Sequence, residues 1–288
     1  MAVPKLSVRH LTHNFGGFTA LADVSVDIDP GEFVCILGAS GCGKSTLFNA
    51  VSGVLPVSSG TVFLDGKDIG GRPGAVGYML QKDLLLPWRT VLGNITLGAA
   101  LTRGATQADR ALAAELATRY GLADFLDHYP RALSGGMRQR VALMRTIAAG
   151  RELMLLDEPF GALDSQTRLG MQQWLLKIWR ELNRTVMFVT HDLDEAIFLG
   201  DRIIVMLPRP GRVGWTLDVE LPRPRTMDCL TSAVFVDLKR RIMEMLYSQA
   251  TLHTVPDAAL SATERLATER LAREPPVGAR EPPAGVPP

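Results

Sequence analysis

Between residues 5 and 30 apolar and polar side chains alternate in two runs. Leu6, Val8 and His10 share one face of the first run, and Val24, Val26 and Ile28 share one face of the second. A repeat of two is the period of half-buried strands. Residues 33–37 are apolar without a break and read as a buried strand, with residues 46–52 following as a helix. Residues 61–64 form another strand candidate, closed by the turn pair Asp65-Gly66, and residues 76–80 a short one. From Pro87 to Gly150 the pattern is helical and strand-poor. Residues 107–120 are rich in alanine and leucine, Gly121 is placed as a helix stop, and residues 137–149 form a further helix. This block, about 87–150, reads as an inserted helical subdomain.

Strand character returns at residues 153–156 and 186–189, with a long helix over 166–182 between them. That β-α-β alternation implies a parallel sheet with right-handed crossovers. Residues 203–206 give another strand and 213–221 an edge hairpin element. Val234, Leu238, Ile242 and Met245 share one helical face, which predicts a last packed helix. Residues 274–288 are proline-rich and aperiodic, the composition of a disordered tail. The sequence reading therefore divides the chain into a main unit at 4–250 and a tail at 251–288.

Composition narrows the function. The 288 residues carry a net charge of +1, which argues against a nucleic-acid surface or an anionic membrane patch. Three cysteines, Cys35, Cys42 and Cys229, share no metal-ligand spacing, and their odd number argues against a disulfide framework. A reducing, cytoplasmic setting is expected. The N-terminal residues lack the apolar core of a signal peptide, and no apolar run approaches the roughly 20 residues that span a bilayer.

The chemistry lies in a few short segments. Gly38-Ala39-Ser40-Gly41-Cys42-Gly43-Lys44-Ser45 has the spacing G-x-x-x-x-G-K-S, after a buried strand and before the helix read at 46–52. Its glycines let successive N–H groups face a phosphate, the helix start adds a favourable dipole, and Lys44 brings positive charge. The Ser45 hydroxyl suits Mg²⁺. Leu153-Met154-Leu155-Leu156-Asp157-Glu158 is an apolar strand ending in two carboxylates. At the C-terminal edge of a parallel sheet those acids lie beside the phosphate loop. Asp157 suits Mg²⁺, and Glu158 suits the general base that polarises an attacking water. Leu133-Ser134-Gly135-Gly136-Met137-Arg138-Gln139-Arg140 is a second glycine-rich helix start.

Taken in order, these segments resemble the ATP-binding cassette (ABC) family over residues 5 to 250. The resemblance implies an α/β fold of the P-loop NTPase class: a RecA-like, mostly parallel core with an antiparallel β subdomain, plus the inserted helical subdomain. It implies ATP and Mg²⁺ as ligands. Gln81 resembles the family's Q-loop glutamine, which senses Mg²⁺ and the γ-phosphate. Leu133–Arg140 resembles the signature motif, in which Ser134 and Gly136 meet the partner subunit's γ-phosphate. Gly161-Ala162-Leu163-Asp164 resembles the D-loop along the dimer seam, and His191 the switch histidine. Phe15 matches the aromatic that stacks on adenine, where tyrosine is commoner. Two departures are minor. Met137 replaces the usual polar residue after the signature glycines, and Cys42 sits inside the phosphate loop, where it is expected to make the site sensitive to thiol reagents.

Within the family, residues 81–95 look like the nitrate/sulfonate/taurine group of bacterial import ATPases, which includes cassettes for thiamine-precursor pyrimidines. Pro208–Arg212 and Leu221-Pro222-Arg223-Pro224-Arg225 fit that group too. The implied partners are a second cassette, most simply an identical copy, transmembrane permease subunits and, through them, a solute-binding protein. The implied place is the cytoplasmic face of the membrane, held peripherally. Leu84–Trp88 offers apolar surface to a permease helix, while the plainer reading puts Trp88 in a core. The rivals are an ABC ATPase acting on nucleic acid or ribosomes, against which the neutral charge counts, and a switch that barely hydrolyses, against which Glu158 and His191 count.

Overall fold

The computed structural model describes residues 3–254, residue 162 excepted, and side chains as far as residue 246. Ten strands run in chain order: β1 Leu6–Phe15, β2 Phe18–Ile28, β3 Phe33–Leu37, β4 Ser59–Leu64, β5 Lys67–Asp68, β6 Gly77–Met79, β7 Leu153–Asp157, β8 Thr185–Thr190, β9 Arg202–Leu207 and β10 Arg212–Asp218. The helices are α1 Lys44–Val51, α2 Val91–Ile95, α3 Leu97–Thr102, α4 Gln107–Arg119, α5 Gly135–Ala148, α6 Ser165–Leu182, α7 Leu193–Leu199 and α8 Ala233–Thr254.

The strands make two sheets. One is antiparallel, in the order β2-β1-β4-β5; the other has the order β10-β9-β3-β8-β7-β6, parallel except for β10 at its edge. The unbroken apolar runs follow from this layering. β3 lies between two cores and sends alternate residues to each: Phe33, Cys35 and Leu37 to one, Val34 and Ile36 to the other. β7 does the same with Met154 and Leu156 against Leu153 and Leu155. Strands buried on both faces need apolar residues at every position, which hides their period of two. The first core packs the larger sheet against α2 and α4–α8. The second packs it against α1 and the antiparallel sheet.

α2–α5 lie between β6 and β7 in the chain. α4 starts on a capping box, with Thr106 and Asp109 bonded reciprocally, and ends at Gly121 (φ 66°), where the Leu122 N–H reaches back to the Ala117 carbonyl at 2.7 Å. Arg225 closes α7: one of its guanidinium nitrogens donates to the carbonyls of Ile197, Phe198 and Gly200 at 3.0, 3.0 and 2.7 Å. Burial, aided by the positive charge of Arg223, pushes the Arg225 guanidinium down to about 10. Arg223 bonds Asp201 at 2.8 Å and lies 4.4 Å above the Trp179 ring. The basic pair after Leu221 is thus spent on holding the fold.

Two readings of periodicity are corrected. His10 does not share the face of Leu6 and Val8: it is exposed, at φ 48°, where the β1–β2 register shifts, and Leu11 takes the buried position instead. Asp23 opposite is also left-handed (φ 52°), and its carboxylate meets the His10 ring at 2.7 Å. An irregularity of this kind adds a residue and resets the alternation. In α8, Val234 is exposed and Phe235 is buried with Leu238 and Ile242, Met245 packing beside them. At 100° per residue, Val234 and Phe235 flank the stripe of Leu238, Ile242 and Met245 on opposite sides at about equal angles, and the core lies on the Phe235 side. The expected disordered tail at 274–288 lies outside the described residues.

Candidate functional site

β3 delivers the chain into the loop Gly38–Ser45 and α1 carries it away. α1 begins at Gly43 (φ 93°) with no side chain capping its first turn and no acid in that turn. Its N–H groups therefore keep their capacity for an anion. A Cβ on Gly43 would stand 2.7 Å from the Leu21 side chain of β2, so any other residue would be strained and crowded there. Lys44 is curled over the loop, its ammonium donating to the carbonyls of Gly38 and Ala39 at 2.8 and 3.0 Å. Ser40, Gly41 and Ser45 are exposed, and Gly43 and Thr46 are half-buried. Cys42 departs from expectation. Its thiol is fully buried, 3.9 Å from the Lys44 ammonium, and burial pushes it above the ordinary thiol range. Its amide already donates to the Ala39 carbonyl at 3.3 Å. Neither observation fits a thiol open to reagents.

Neighbouring parallel strands bring the remaining polar groups to one edge. Gln81 follows β6, Glu158 follows β7 and His191 follows β8, and these three strands are adjacent in the sheet. Residues far apart in the chain thus meet at the C-terminal edge. The Glu158 carboxylate accepts from the Gln81 amide at 3.1 Å through Oε2, while Oε1 lies 3.2 Å from His191 Nδ1. Glu158 has a left-handed backbone (φ 47°), and its N–H bonds the Val189 carbonyl at 3.0 Å. A glutamate in that region is strained, and such strain concentrates at functional positions. Asp157 is 3% exposed, and its carboxylate takes the hydroxyl of Ser45. Burial raises its pKa, the Ser45 bond works against that, and the charge of Glu158 adds to the rise. The end of β7 and the phosphate loop thus meet at Ser45 and Asp157.

His191 is braced from behind by groups that periodicity did not single out. The Thr190 hydroxyl donates to Glu195 and accepts from the Asp192 N–H at 3.0 Å, and the Gln172 amide donates to Glu195 at 3.0 Å. Burial holds the Glu195 carboxyl above its ordinary range. The spacing from His191 to Glu195, four residues along a helix start, was the available signal. Gln139, within the second glycine-rich segment, donates to the Gln81 carbonyl at 3.2 Å.

Ser134 is the N-cap of α5, its hydroxyl accepting from the Met137 N–H at 3.3 Å. A Cβ on Gly136 would stand 2.9 Å from Leu163, so this turn sits on the segment before α6. Among the described residues no hydrogen bond or ion pair joins 134–137 to 38–45. Asp164 is exposed and caps α6, accepting from the Thr167 N–H at 3.0 Å, and that backbone bond lowers its pKa. Phe15 is 52% exposed at the β1–β2 hairpin, paired in register with Phe18, with the buried His13 ring edge-on at 4.4 Å. Trp88 is 71% and Leu84 52% exposed, which rules out the core reading of Trp88.

Among the described residues no three His, Cys, Asp or Glu side chains cluster to hold a metal, and no helix is long and apolar enough to cross a membrane. Ser45 and Asp157 nevertheless supply adjacent oxygen donors of the kind Mg²⁺ accepts when phosphates and water complete its shell.

The ABC transporter family matches residues 21–161. An ATP-binding protein of Brucella abortus is 43% identical over 85% of this chain and 95% of its own length. The taurine import ATP-binding protein of Rhizobium johnstonii is 45% identical over 82% of this chain and 92% of its own. A dimeric ATP-binding cassette solved in a post-hydrolysis state with ADP and Pi superposes with a TM-score of 0.68 at 32% identity, covering 75% of this chain and all of that one.

Proposed function

Because the chain belongs to the ABC transporter family and is an ATP-binding ATPase of that fold, we propose that it energises an importer of a small solute of the nitrate, sulfonate or taurine kind. The observation that carries the hydrolytic part is the Gln81–Glu158–His191 cluster beside the Ser45–Asp157 contact.

In this reading residues 4–250 are the ATPase unit and about 87–150 its helical insertion. The N–H groups of Ser40, Gly41, Gly43, Lys44, Ser45 and Thr46 cradle the phosphates of ATP, with Cys42 contributing through shape alone. Lys44 leaves its carbonyl partners for the outer phosphates. Phe15 offers its exposed face to adenine. Mg²⁺ held by Ser45 and Asp157, with Gln81 alongside, would neutralise phosphate charge. Glu158 takes the proton of the attacking water, and His191 and Lys44 stabilise charge on the transferring phosphoryl group. Ser134 and Gly136 serve the nucleotide of a second cassette, most simply an identical chain, and Asp164 lies along the seam. The dimeric cassette among the similar structures supports that pairing.

The importer part rests on Leu84 and Trp88, an exposed apolar pair three and seven residues past Gln81, and on the similarity to a taurine import protein. A permease helix seated there would couple nucleotide state to the membrane gate, and place the chain peripherally on the cytoplasmic face. A solute-binding protein would act through the permease. A pyrimidine precursor of thiamine would be served by the same machinery.

The test is recovery of partners from native membranes in mild detergent, for the wild-type chain and for Trp88→Ala. A multi-span permease should come with the wild type and fall about tenfold with the variant, as expected for an aromatic anchor. The variant's basal ATPase should be unchanged. Ribosomal or DNA-repair proteins in place of a permease would leave the ATPase standing and end the importer reading.

A further inference from the structure

α5 does more than begin with the glycine-rich turn at Ser134. Three of its side chains reach the loop after β6. Arg138 pairs with the Asp83 carboxylate at 3.1 Å. Arg145 donates to the carbonyls of Asp83 and Leu84 at 2.7 and 2.9 Å. Between them Gln139 donates to the carbonyl of Gln81, the residue whose side chain holds Glu158. Leu84 itself is left-handed (φ 43°), a conformation that a leucine keeps only when its surroundings impose it.

Gln139 is 8% exposed, and its buried amide oxygen has no partner among the described residues. A buried amide with half its capacity unmet is a poor device for stability; an apolar side chain of the same size would remove that penalty. The half that is used is spent on one atom, the Gln81 carbonyl. We infer that Gln139 is a positioning residue for hydrolysis: it fixes the Gln81 backbone so that the Gln81 amide stays on Glu158. α5 then carries the Ser134–Gly136 end and the 81–84 loop as one body. A shift of the glycine-rich end toward or away from nucleotide is transmitted to the hydrolytic carboxylate through this bond. The inference rests on the proposed roles of Gln81 and Glu158.

The test is steady-state ATPase of the full chain with Mg·ATP for Gln139→Leu, Gln81→Ala and the double variant. Gln81 is exposed, so water can take over its carbonyl, and Gln139→Leu should keep its thermal midpoint. The expected result is a kcat about tenfold lower at unchanged KM, because misplacement of a catalytic group acts on the reaction step. The double variant should be no slower than Gln81→Ala alone, since residues acting through one another are not additive. A kcat within twofold of wild type for Gln139→Leu, or losses that multiply in the double variant, would overturn the inference. Gln139→Met, unbranched like glutamine and without a donor, serves if Gln139→Leu does not fold, and should show the same kcat loss. If Gln81→Ala is itself as fast as wild type, the reading of the site fails, and this inference fails with it.

Discussion

Replacing Glu158 by glutamine removes a base while leaving its surroundings almost untouched. Among the described residues Glu158 makes two side-chain polar contacts, the Gln81 amide at 3.1 Å and His191 Nδ1 at 3.2 Å. Glutamine can turn its amide oxygen to Gln81 and its NH₂ group to His191, which accepts at Nδ1 in its neutral form. The backbone at φ 47° carries the same Cβ in both cases, so the strain there does not change. Folding and ATP binding should therefore survive, with the affinity for ATP within about threefold, since both contacts persist in neutral form. What is lost is proton transfer from water, which general bases accelerate by roughly 10²–10⁴. At 1.36 kcal/mol per decade the barrier rises by about 2.7–5.4 kcal/mol. Single-turnover hydrolysis of labelled ATP measures that loss, and size-exclusion chromatography in ATP should show a dimer that persists because hydrolysis no longer reopens it. A single-turnover rate within threefold of wild type would remove Glu158 from the role of base. An equal loss in ATP binding would show instead that the substitution had damaged the pocket.

Other consequences follow from burial. Cys42 should resist alkylation in the folded chain and react at the rate of an ordinary thiol once the chain is unfolded; prompt labelling of Cys42 in the native protein, read by mass spectrometry, would contradict its placement. Glu195 gives a pH dependence whose sign is fixed by its raised pKa. The folded chain holds this proton more tightly than the unfolded one, so the group's contribution is most favourable at low pH and declines as pH rises from about 4.5 through the folded value, by at most about 1.4 kcal/mol per unit. Glu195→Gln lacks that titration, so the stability difference between wild type and variant, from denaturant melts across pH 4.5 to 8, should move against the wild type as pH rises; parallel curves would refute it.

Much of this protein is legible in local sequence because much of it is local chemistry. A phosphate loop needs glycines, a lysine and a hydroxyl within eight consecutive residues, so Gly38–Ser45 declares itself. The glycine-rich helix start at Ser134 is equally local. The apolar runs of β3 and β7 announce buried strands, though not that each strand divides its side chains between two cores. Periodicity misplaced His10 and Val234, because a shift of register in β1 and the side of the α8 stripe that meets the core are set by what packs against them. The exposure of Trp88 and the burial of the Cys42 thiol were decided the same way. The meeting of Gln81, Glu158 and His191 depends on β6, β7 and β8 lying side by side, an order produced by crossovers tens of residues long. The bond from Gln139 to Gln81 spans 58 positions, and that from Gln172 to Glu195 spans 23. Residue types and spacing specify which groups can do chemistry; only the packing of sheet and helices determines which of them touch, because hydrogen bonds and burial act over a few ångströms in space whatever the distance along the chain.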